Sequence, residues 1–164
     1  MTLLLLLMLP LDTMEIKEAG FQIQYDSTWQ IIENQYSSEK VTYVIAKKPG
    51  LTKSVNNHPP SVAIVVENFN SEIEIEAYSA IVGVHKHRTV LQNLSPEDEI
   101  LQYSNSVGYL TSFIDKAGIG RVSYVIHAIN GLNAITIVTD CRATEFKAIK
   151  SEFEHIIQSL EVTN

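Results

Sequence analysis

The stretch RVSYVIHAINGLNAITIVT, residues 121–139, constrains the possible folds of this chain more than any other part of its sequence. Two segments rich in β-branched and aromatic residues flank Asn130-Gly131, the dipeptide most typical of a tight turn between antiparallel strands. Pairing across this turn predicts His127 opposite Ala134 and Tyr124 opposite Ile137. The face expected to point into the core carries Val122, Tyr124, Ile126, Ile135 and Ile137, and the other carries Ser123, Val125, His127, Thr136 and Val138.

Strand patterns precede this hairpin along most of the chain. FQIQY, residues 21–25, alternates apolar and polar side chains, as a strand with one buried face does. SVAIVVE, residues 61–67, is a continuous apolar run of the kind found in sheets covered on both faces. Further strands are predicted in WQIIE, VTYVIAK, TVLQNL and VGYLTSFI, which begin at Trp29, Val41, Thr89 and Val107.

Two helices are predicted among these strands. Ser71 and Glu74 have the spacing of a capping box, and an apolar stripe follows at helical spacing, so we expect a helix from about Glu72 to Lys86. The stripe consists of Ile73, Ala77, Ala80, Ile81 and Val84. A second helix, at the C-terminus, is indicated by the apolar stripe Phe146, Ile149, Phe153, Ile156, Ile157 and Leu160. The order β-β-β-loop-β-α-β-β-β-β-α indicates an α+β domain on a mostly antiparallel sheet.

Length and charge limit the classes of function. A chain of 164 residues suits one domain with a single sizeable core. Its formal net charge of -7 argues against a nucleic-acid partner, because neutralising phosphates requires a basic face. The GIG sequence at 118–120 is a short turn rather than a phosphate-binding loop, so we expect no cofactor. We expect a monomer or a weak oligomer.

The N-terminus begins MTLLLLLMLPL, and its apolar run from Leu3 to Leu11 is too short to span a bilayer. Residues 1–19 could be a truncated export signal, an apolar segment docked on the fold, or sequence upstream of a true start at Met14. We favour the export signal, which predicts an extracytoplasmic location, with a cytoplasmic one as the alternative. Residues 20–164 are expected to form the single domain.

GFQIQYDSTW, residues 20–29, resembles the opening strand-turn-Trp signature of PsbP-like proteins. This family includes the photosystem II protein PsbP, bacterial DcrB-like proteins and Mog-type Ran-binding factors. The C-terminal part is similar too, with an Asn-Gly hairpin, the strand AITIVT and a helix closing in IIQSLEV, so the resemblance covers about residues 20–162. One departure is Asp26, where the family usually has proline, although an aspartate can also start a turn.

The resemblance implies an α/β/α sandwich and no shared catalytic machinery. Its members serve in photosystem assembly, in binding a small GTPase and in uncharacterised envelope roles. A fold used in such different ways does not assign a function, so function has to be argued from individual sites.

The stretch VHKHR, residues 84–88, is a candidate metal site. His85 and His87 would point to the same side and could bind zinc if the segment were extended. At the end of a helix they would lie about 200° apart around the axis and could not share an ion. Because the predicted helix reaches Lys86, we interpret VHKHR as its basic end and predict no metal site.

Cys141 is a candidate nucleophile, because it lies where a strand gives way to the last helix, and a thiol near a helix N-terminus can have a lowered pKa. His127 would have to activate it, but the predicted pairing places His127 several residues away along the hairpin. We therefore interpret Cys141 as a buried structural residue.

The loop at residues 48–60 is the best candidate for binding, because long loops in compact domains are often functional. Lys48, Lys53 and His58 give it local positive charge on an acidic chain. We therefore predict a non-catalytic binding or accessory module with a protein partner. The alternative is an enzyme or metal-binding protein whose site, Cys141 with His127 or His85 with His87, forms only in three dimensions.

Overall fold

Antiparallel pairing dominates the computed structural model, which describes residues 10–36, 41–50, 58–83 and 87–163. In chain order the elements are β1 (Leu11–Ile16), β2 (Phe21–Asp26), β3 (Trp29–Tyr36), β4 (Val41–Lys47), β5 (Ser61–Asn68), α1 (Ile75–Val82), β6 (Thr89–Leu94), β7 (Ser106–Ile114), β8 (Gly120–Asn130), β9 (Asn133–Arg142), α2 (Phe146–Gln158) and β10 (Glu161–Val162). The strands predicted from the alternating and β-branched patterns are all present.

Seven of these strands form the main sheet, in the order β3-β4-β5-β9-β8-β7-β6. Strands β1, β2 and β10 form a smaller sheet, and the paired strands in both sheets are antiparallel. Helix α1 packs on β7 and β8 from one side, and α2 packs against β2, β8 and β9 from the other. The predicted α+β class and its sandwich of layers are confirmed.

The larger core lies between the main sheet and the layer formed by α2 with the small sheet. Helix α2 buries Ile149, Phe153, Ile156 and Ile157, the stripe predicted from its helical spacing. The rings of Phe153 and Trp29 lie 5.8 Å apart, so the helix is fixed against the first strand of the main sheet. A smaller cluster of Ile75, Tyr78, Ile129 and Ala134 holds α1 on the opposite face.

The register of the β8–β9 hairpin differs from the predicted one by two residues. His127 pairs with Thr136, Ile126 pairs with Ile137, and the strands close on Asn130 opposite Asn133. The two-residue turn is therefore Gly131-Leu132. Gly131 has a φ of 61°, as the first central position of a type II′ turn requires. Because side chains alternate with a period of two, the shift leaves both predicted faces unchanged.

Helix α1 is shorter than predicted and buries a different face. It begins after Glu74, which makes no side-chain cap hydrogen bond, so the predicted capping box with Ser71 is not formed. It ends at Gly83, whose φ of 56° is the left-handed conformation that terminates helices. Its buried residues are Ile75, Tyr78 and Ser79, whereas Ile81, expected on the apolar stripe, is 68% exposed.

Strand β1 was not predicted, because its sequence lies in the segment interpreted as a possible export signal. It pairs with β2 from Leu11 opposite Asp26 to Ile16 opposite Phe21. Met14 and Ile16 are buried in the larger core, as is Ala19 in the following turn. Strand pairing and core packing therefore include residues before Gly20. Residues 1–9 lie outside the described part of the chain.

Phe153 tests the packing of α2 against the sheet, because it is fully buried in the larger core. We expect Phe153→Ala to lower the free energy of unfolding by about 3–5 kcal/mol, the usual cost of deleting a large core side chain. Urea denaturation followed by circular dichroism measures the change. Lys147→Ala, an exposed substitution in the same helix, is the control and should leave stability within about 0.5 kcal/mol. A similar midpoint for both variants would contradict this packing.

Candidate functional site

Two of the three residues predicted to bind in the 48–60 loop, Lys48 and His58, are described, and both lie at the same end of the main sheet. Lys48 directly follows β4, where its backbone N–H donates to Thr28 O at 2.9 Å and its Nζ donates to Ser27 O at 2.5 Å. His58 is exposed, and its charge helps to lower the pKa of Asp115, mainly depressed by the backbone N–H of Ile119. Lys53, the third predicted residue, lies outside the described residues.

The antiparallel sheet brings other cations to this same end, which we call the basic end. It is defined by the end of β4, the start of β5, the start of β8 and the end of β9, together with the turn after β7 and the residue before β6. Its lysines and arginines are Lys47, Lys48, Arg88, Lys116, Arg121, Arg142 and, at the start of α2, Lys147. Its carboxylates among the described residues are Asp26, Asp115, Asp140, Glu145 and Glu152.

Two of these cations are buried in ion pairs. Arg121 donates from Nε to Asp140 Oδ1 at 3.1 Å and from Nη2 to Asp140 Oδ2, a bidentate pair that raises the pKa of Arg121. Lys47 contacts Glu152 Oε2, which also accepts a hydrogen bond from Trp29 Nε1 at 2.9 Å. Because the side chains of Lys47 and Arg121 are 8% and 7% exposed, these pairs stabilise the interior and add little surface charge.

Arg88, Phe113, Arg121 and Arg142 form a row across neighbouring strands, which we call the arginine row. Phe113 pairs with Arg121, and Arg121 pairs with Arg142, so these three residues share one face. Arg88 joins the row by stacking its guanidinium carbon 4.3 Å from the centroid of the Phe113 ring. Burial lowers the pKa of Arg88, and the charge of Asp140 opposes this shift.

The opposite end of the sheet is acidic. Ten carboxylates lie there, at the end of β5, at the start of α1, after β6, around the β1–β2 turn and in β10: Glu15, Glu18, Glu67, Glu72, Glu74, Glu76, Glu97, Asp98, Glu99 and Glu161. In the described part of the chain, Lys17 is the one lysine or arginine among them. The net charge of -7 is therefore unevenly distributed, and the two ends of the sheet differ in sign.

Two adjoining open depressions lie at the acidic end. One, of about 460 Å³, is lined by Gln24, Gln102, Tyr103, Gln158, Ser159, Leu160, Glu161 and Val162. The other, of about 490 Å³, shares Gln102 and Gln158 with it and is bordered by Glu97, Asp98 and Glu99. The first has a mixed lining, in which Tyr103, Leu160 and Val162 stand beside the amides, and the second is mostly polar, whereas sites that enclose small molecules are mostly apolar.

The proposed Cys141–His127 pair is not formed. Cys141 pairs with Val122 and His127 pairs with Thr136 on adjacent strands, so by strand alternation the two side chains lie on opposite faces of the sheet. Cys141 is fully buried in the larger core, and burial raises the pKa of its thiol to about 12. The interpretation of Cys141 as a structural residue is consistent with both observations.

Helix α1 ends before the VHKHR stretch, with Gly83 as its C-cap, so the stretch is not the basic end of that helix. The interpretation of the two histidines, that a helix separates them, stays a prediction because residues 84–86 lie outside the described residues. His85 lies outside the described residues, and His87 is exposed. Across residues 10–36, 41–50, 58–83 and 87–163, no three side chains of His, Cys, Asp or Glu are grouped as a metal ion would require.

His127 instead belongs to a buried polar chain under α1 that the sequence pattern did not reveal. Its Nδ1 lies 3.0 Å from Thr136 Oγ1, which lies 2.9 Å from the hydroxyl of Tyr78. Tyr78 donates to Glu67 Oε2 at 2.8 Å, so Thr136 must donate to Tyr78 and His127 Nδ1–H to Thr136. Burial is the main cause of the raised pKa of Tyr78. The chain of hydrogen bonds fixes α1 on the sheet.

No helix in the described residues is long and apolar enough to span a bilayer. No family model matches the chain, and no curated protein matches it.

Solved structures, in contrast, match its fold over nearly the whole length. The chain is similar to cyanobacterial PsbP (CyanoP) from Synechocystis sp. PCC 6803, with a TM-score of 0.63, 12% identity, and 94% of each chain covered. It is similar to LpqN, involved in cell envelope biogenesis of Mycobacterium tuberculosis, with a TM-score of 0.64 and 9% identity. The match covers 94% of this chain and 91% of LpqN. It is also similar to the Ran-binding protein Mog1p of Saccharomyces cerevisiae, with a TM-score of 0.57 and 9% identity. The match covers 96% of this chain and 97% of Mog1p.

A structure from Bacteroides thetaiotaomicron VPI-5482 is longer, and the chain spans 48% of its length, with a TM-score of 0.59 and 14% identity. At these identities the likeness is one of fold and carries no function. The resemblance that the opening strand-turn-Trp motif suggested is confirmed at the level of the fold, which the chain shares with cyanobacterial PsbP, Mog1p and LpqN.

Proposed function

We propose that this chain is a non-catalytic binding or accessory module and that the basic end of its sheet contacts a protein partner. The observation that carries the proposal is the separation of charge along the sheet. On a chain of net charge -7, a cationic surface is unexpected unless something uses it. A surface of opposite sign to the rest of the molecule orients an incoming partner and raises the association rate.

The composition of the basic end supports a protein partner over a nucleic acid. Protein interfaces are enriched in arginine and aromatic residues, and here Arg88 stacks on Phe113. Ile114, beside this stack, is 75% exposed and offers apolar area to a partner. Asp115 and Asp140 lie among the cations, where they would repel a continuous phosphate backbone.

The loop at residues 48–60 is proposed to extend this surface. Lys48 and His58 lie at the basic end, and Lys53 lies between them in sequence. Loops held by a rigid sheet commonly carry binding residues, because their side chains can adapt to a partner without disturbing the core.

An extracytoplasmic location is proposed from two observations. The N-terminal run from Leu3 to Leu11 is similar to the apolar region of a secretory signal. A solved structure of the same fold, LpqN, belongs to a protein involved in cell envelope biogenesis. A cytoplasmic location is the alternative, since the Ran-binding Mog1p also shares the fold.

Quantitative affinity capture from the native organism tests the role of the basic end. Lys48→Glu/Lys116→Glu reverses two exposed charges there, and Lys17→Glu/Lys150→Glu reverses two exposed lysines elsewhere, so both variants change the net charge equally. We expect the first variant to recover a specific partner roughly tenfold less than the wild type, equivalent to about 1.4 kcal/mol. The second should recover it within about twofold of the wild-type amount.

Thermal unfolding of each variant should confirm that it is folded. Equal recovery by the two variants, or no protein specifically captured by the wild type, would count against the basic end as a partner surface.

A non-catalytic role also predicts an unreactive thiol. Because the pKa of Cys141 is raised to about 12, less than about 1% of it is thiolate at pH 8, and burial hides the sulfur as well. We expect no alkylation by iodoacetamide in the native state within an hour and complete alkylation in guanidinium chloride, measured by intact mass. Rapid alkylation of the native protein would support Cys141 as a nucleophile and contradict its interpretation as a structural residue.

A further inference from the structure

We infer that the arginine row binds carboxylate side chains of an acidic segment in the partner protein. This inference rests on the proposed function and names the chemistry through which the basic end would recognise its partner.

The row is built by strand pairing rather than by flexible loops. Phe113, Arg121 and Arg142 occupy adjacent strands at directly paired positions, so their Cα atoms follow the inter-strand spacing of about 4.8 Å. Arg88 is fixed at the edge by its stack on Phe113. An extended acidic segment lying across these strands could place successive side chains against successive arginines.

Charge balance in the row leaves room for external acceptors. Arg121 already uses both oxygens of Asp140, the carboxylate whose charge also acts on Arg88. Glu145 follows Arg142 closely in sequence, yet its Oε2 makes no hydrogen bond to any described residue. In the described part of the chain, neither Arg88 nor Arg142 forms an ion pair with a carboxylate.

Unpaired hydrogen-bond donors in the arginine row also indicate an acceptor from another molecule. Nη1 of Arg88 and both Nε and Nη2 of Arg142 are shielded from solvent and have no hydrogen-bond acceptor in the described part of the chain. Shielded polar groups in proteins are nearly always paired, so donors of this kind indicate a missing acceptor. Nε and Nη2 lie on the same edge of a guanidinium, which is the edge that a carboxylate binds with two parallel hydrogen bonds.

A carboxylate fits better than a phosphate. The planar fork of arginine matches both groups, but Asp140 and Asp115 add negative charge beside the row and oppose a doubly charged phosphate more strongly. Lysine carries the same charge as arginine but cannot donate two parallel hydrogen bonds to one carboxylate. Replacing an arginine by lysine therefore distinguishes bidentate hydrogen bonding from electrostatic attraction alone.

Binding of a fluorescein-labelled oligoglutamate peptide to the full chain, measured by anisotropy at low ionic strength, tests this inference. We expect saturable binding, no binding of an oligoglutamine peptide, and roughly fivefold or greater weakening by Arg142→Lys, Arg142→Gln and Arg88→Gln. Lys116→Gln removes one exposed charge of the basic end outside the row, and it should weaken binding by less than about twofold.

Nuclear magnetic resonance locates the contact directly. The chain has three arginines, so its three Nε–H signals can each be assigned by one substitution. Oligoglutamate should shift the Arg142 and Arg88 signals, with a smaller change at Arg121, whose Nε is already bonded to Asp140.

Three results would overturn the inference: no saturable oligoglutamate binding, wild-type affinity in Arg142→Lys, or equal weakening by Lys116→Gln. Stronger binding of inorganic phosphate or of phosphatidylglycerol vesicles than of oligoglutamate would also overturn it, in favour of a phosphate-bearing ligand. Because none of these assays uses the native partner, their failure is distinguishable from failure of the affinity capture.

Discussion

The antiparallel pairing of β8 with β9 is the constraint on which the rest of the molecule depends. These are the two longest strands and they lie inside the seven-stranded sheet, so β5 and β7 take their register from them. Their side chains are buried on both faces, one against the layer with α2 and the other beneath α1. A one-residue slip of either strand would exchange its two faces, which would place His127 of β8 or Thr136 of β9 in the apolar core.

The same pairing explains the functional surface. An antiparallel sheet returns the chain repeatedly to the same two ends, so residues far apart in sequence, such as Lys48, Arg88 and Arg142, lie at one end of the sheet. The basic and acidic ends are thus properties of the topology, and each combines contributions from several strands and turns. Neither end contains a long run of like charges in the sequence.

The sequence predicts those features of the fold that a local pattern of buried and exposed residues determines. Alternating patterns locate the strands, and helical spacing locates α2, because those signals are set by which face is buried. The register shift at Asn130 and the end of α1 at Gly83 depended on the conformation of single glycines. Strand β1 was missed because an apolar run can serve either as a signal or as part of a core.

The candidate site was less predictable than the fold. Lys48 and His58 were identified from loop length and local charge, but Arg88, Arg121 and Arg142 came together only through strand order. The polar chain from His127 to Glu67 was hidden for the same reason, since its members come from β8, β9, α1 and β5.

The separation of charge between the two ends can be measured directly by relaxation of amide protons in the presence of positively and negatively charged paramagnetic cosolutes. The ratio of the two effects gives the electrostatic potential near each amide. We predict a positive potential at Lys48, Lys116 and Arg142 and a negative potential at Glu74 and Asp98. A negative potential at both ends would contradict the basic end and the binding role built on it.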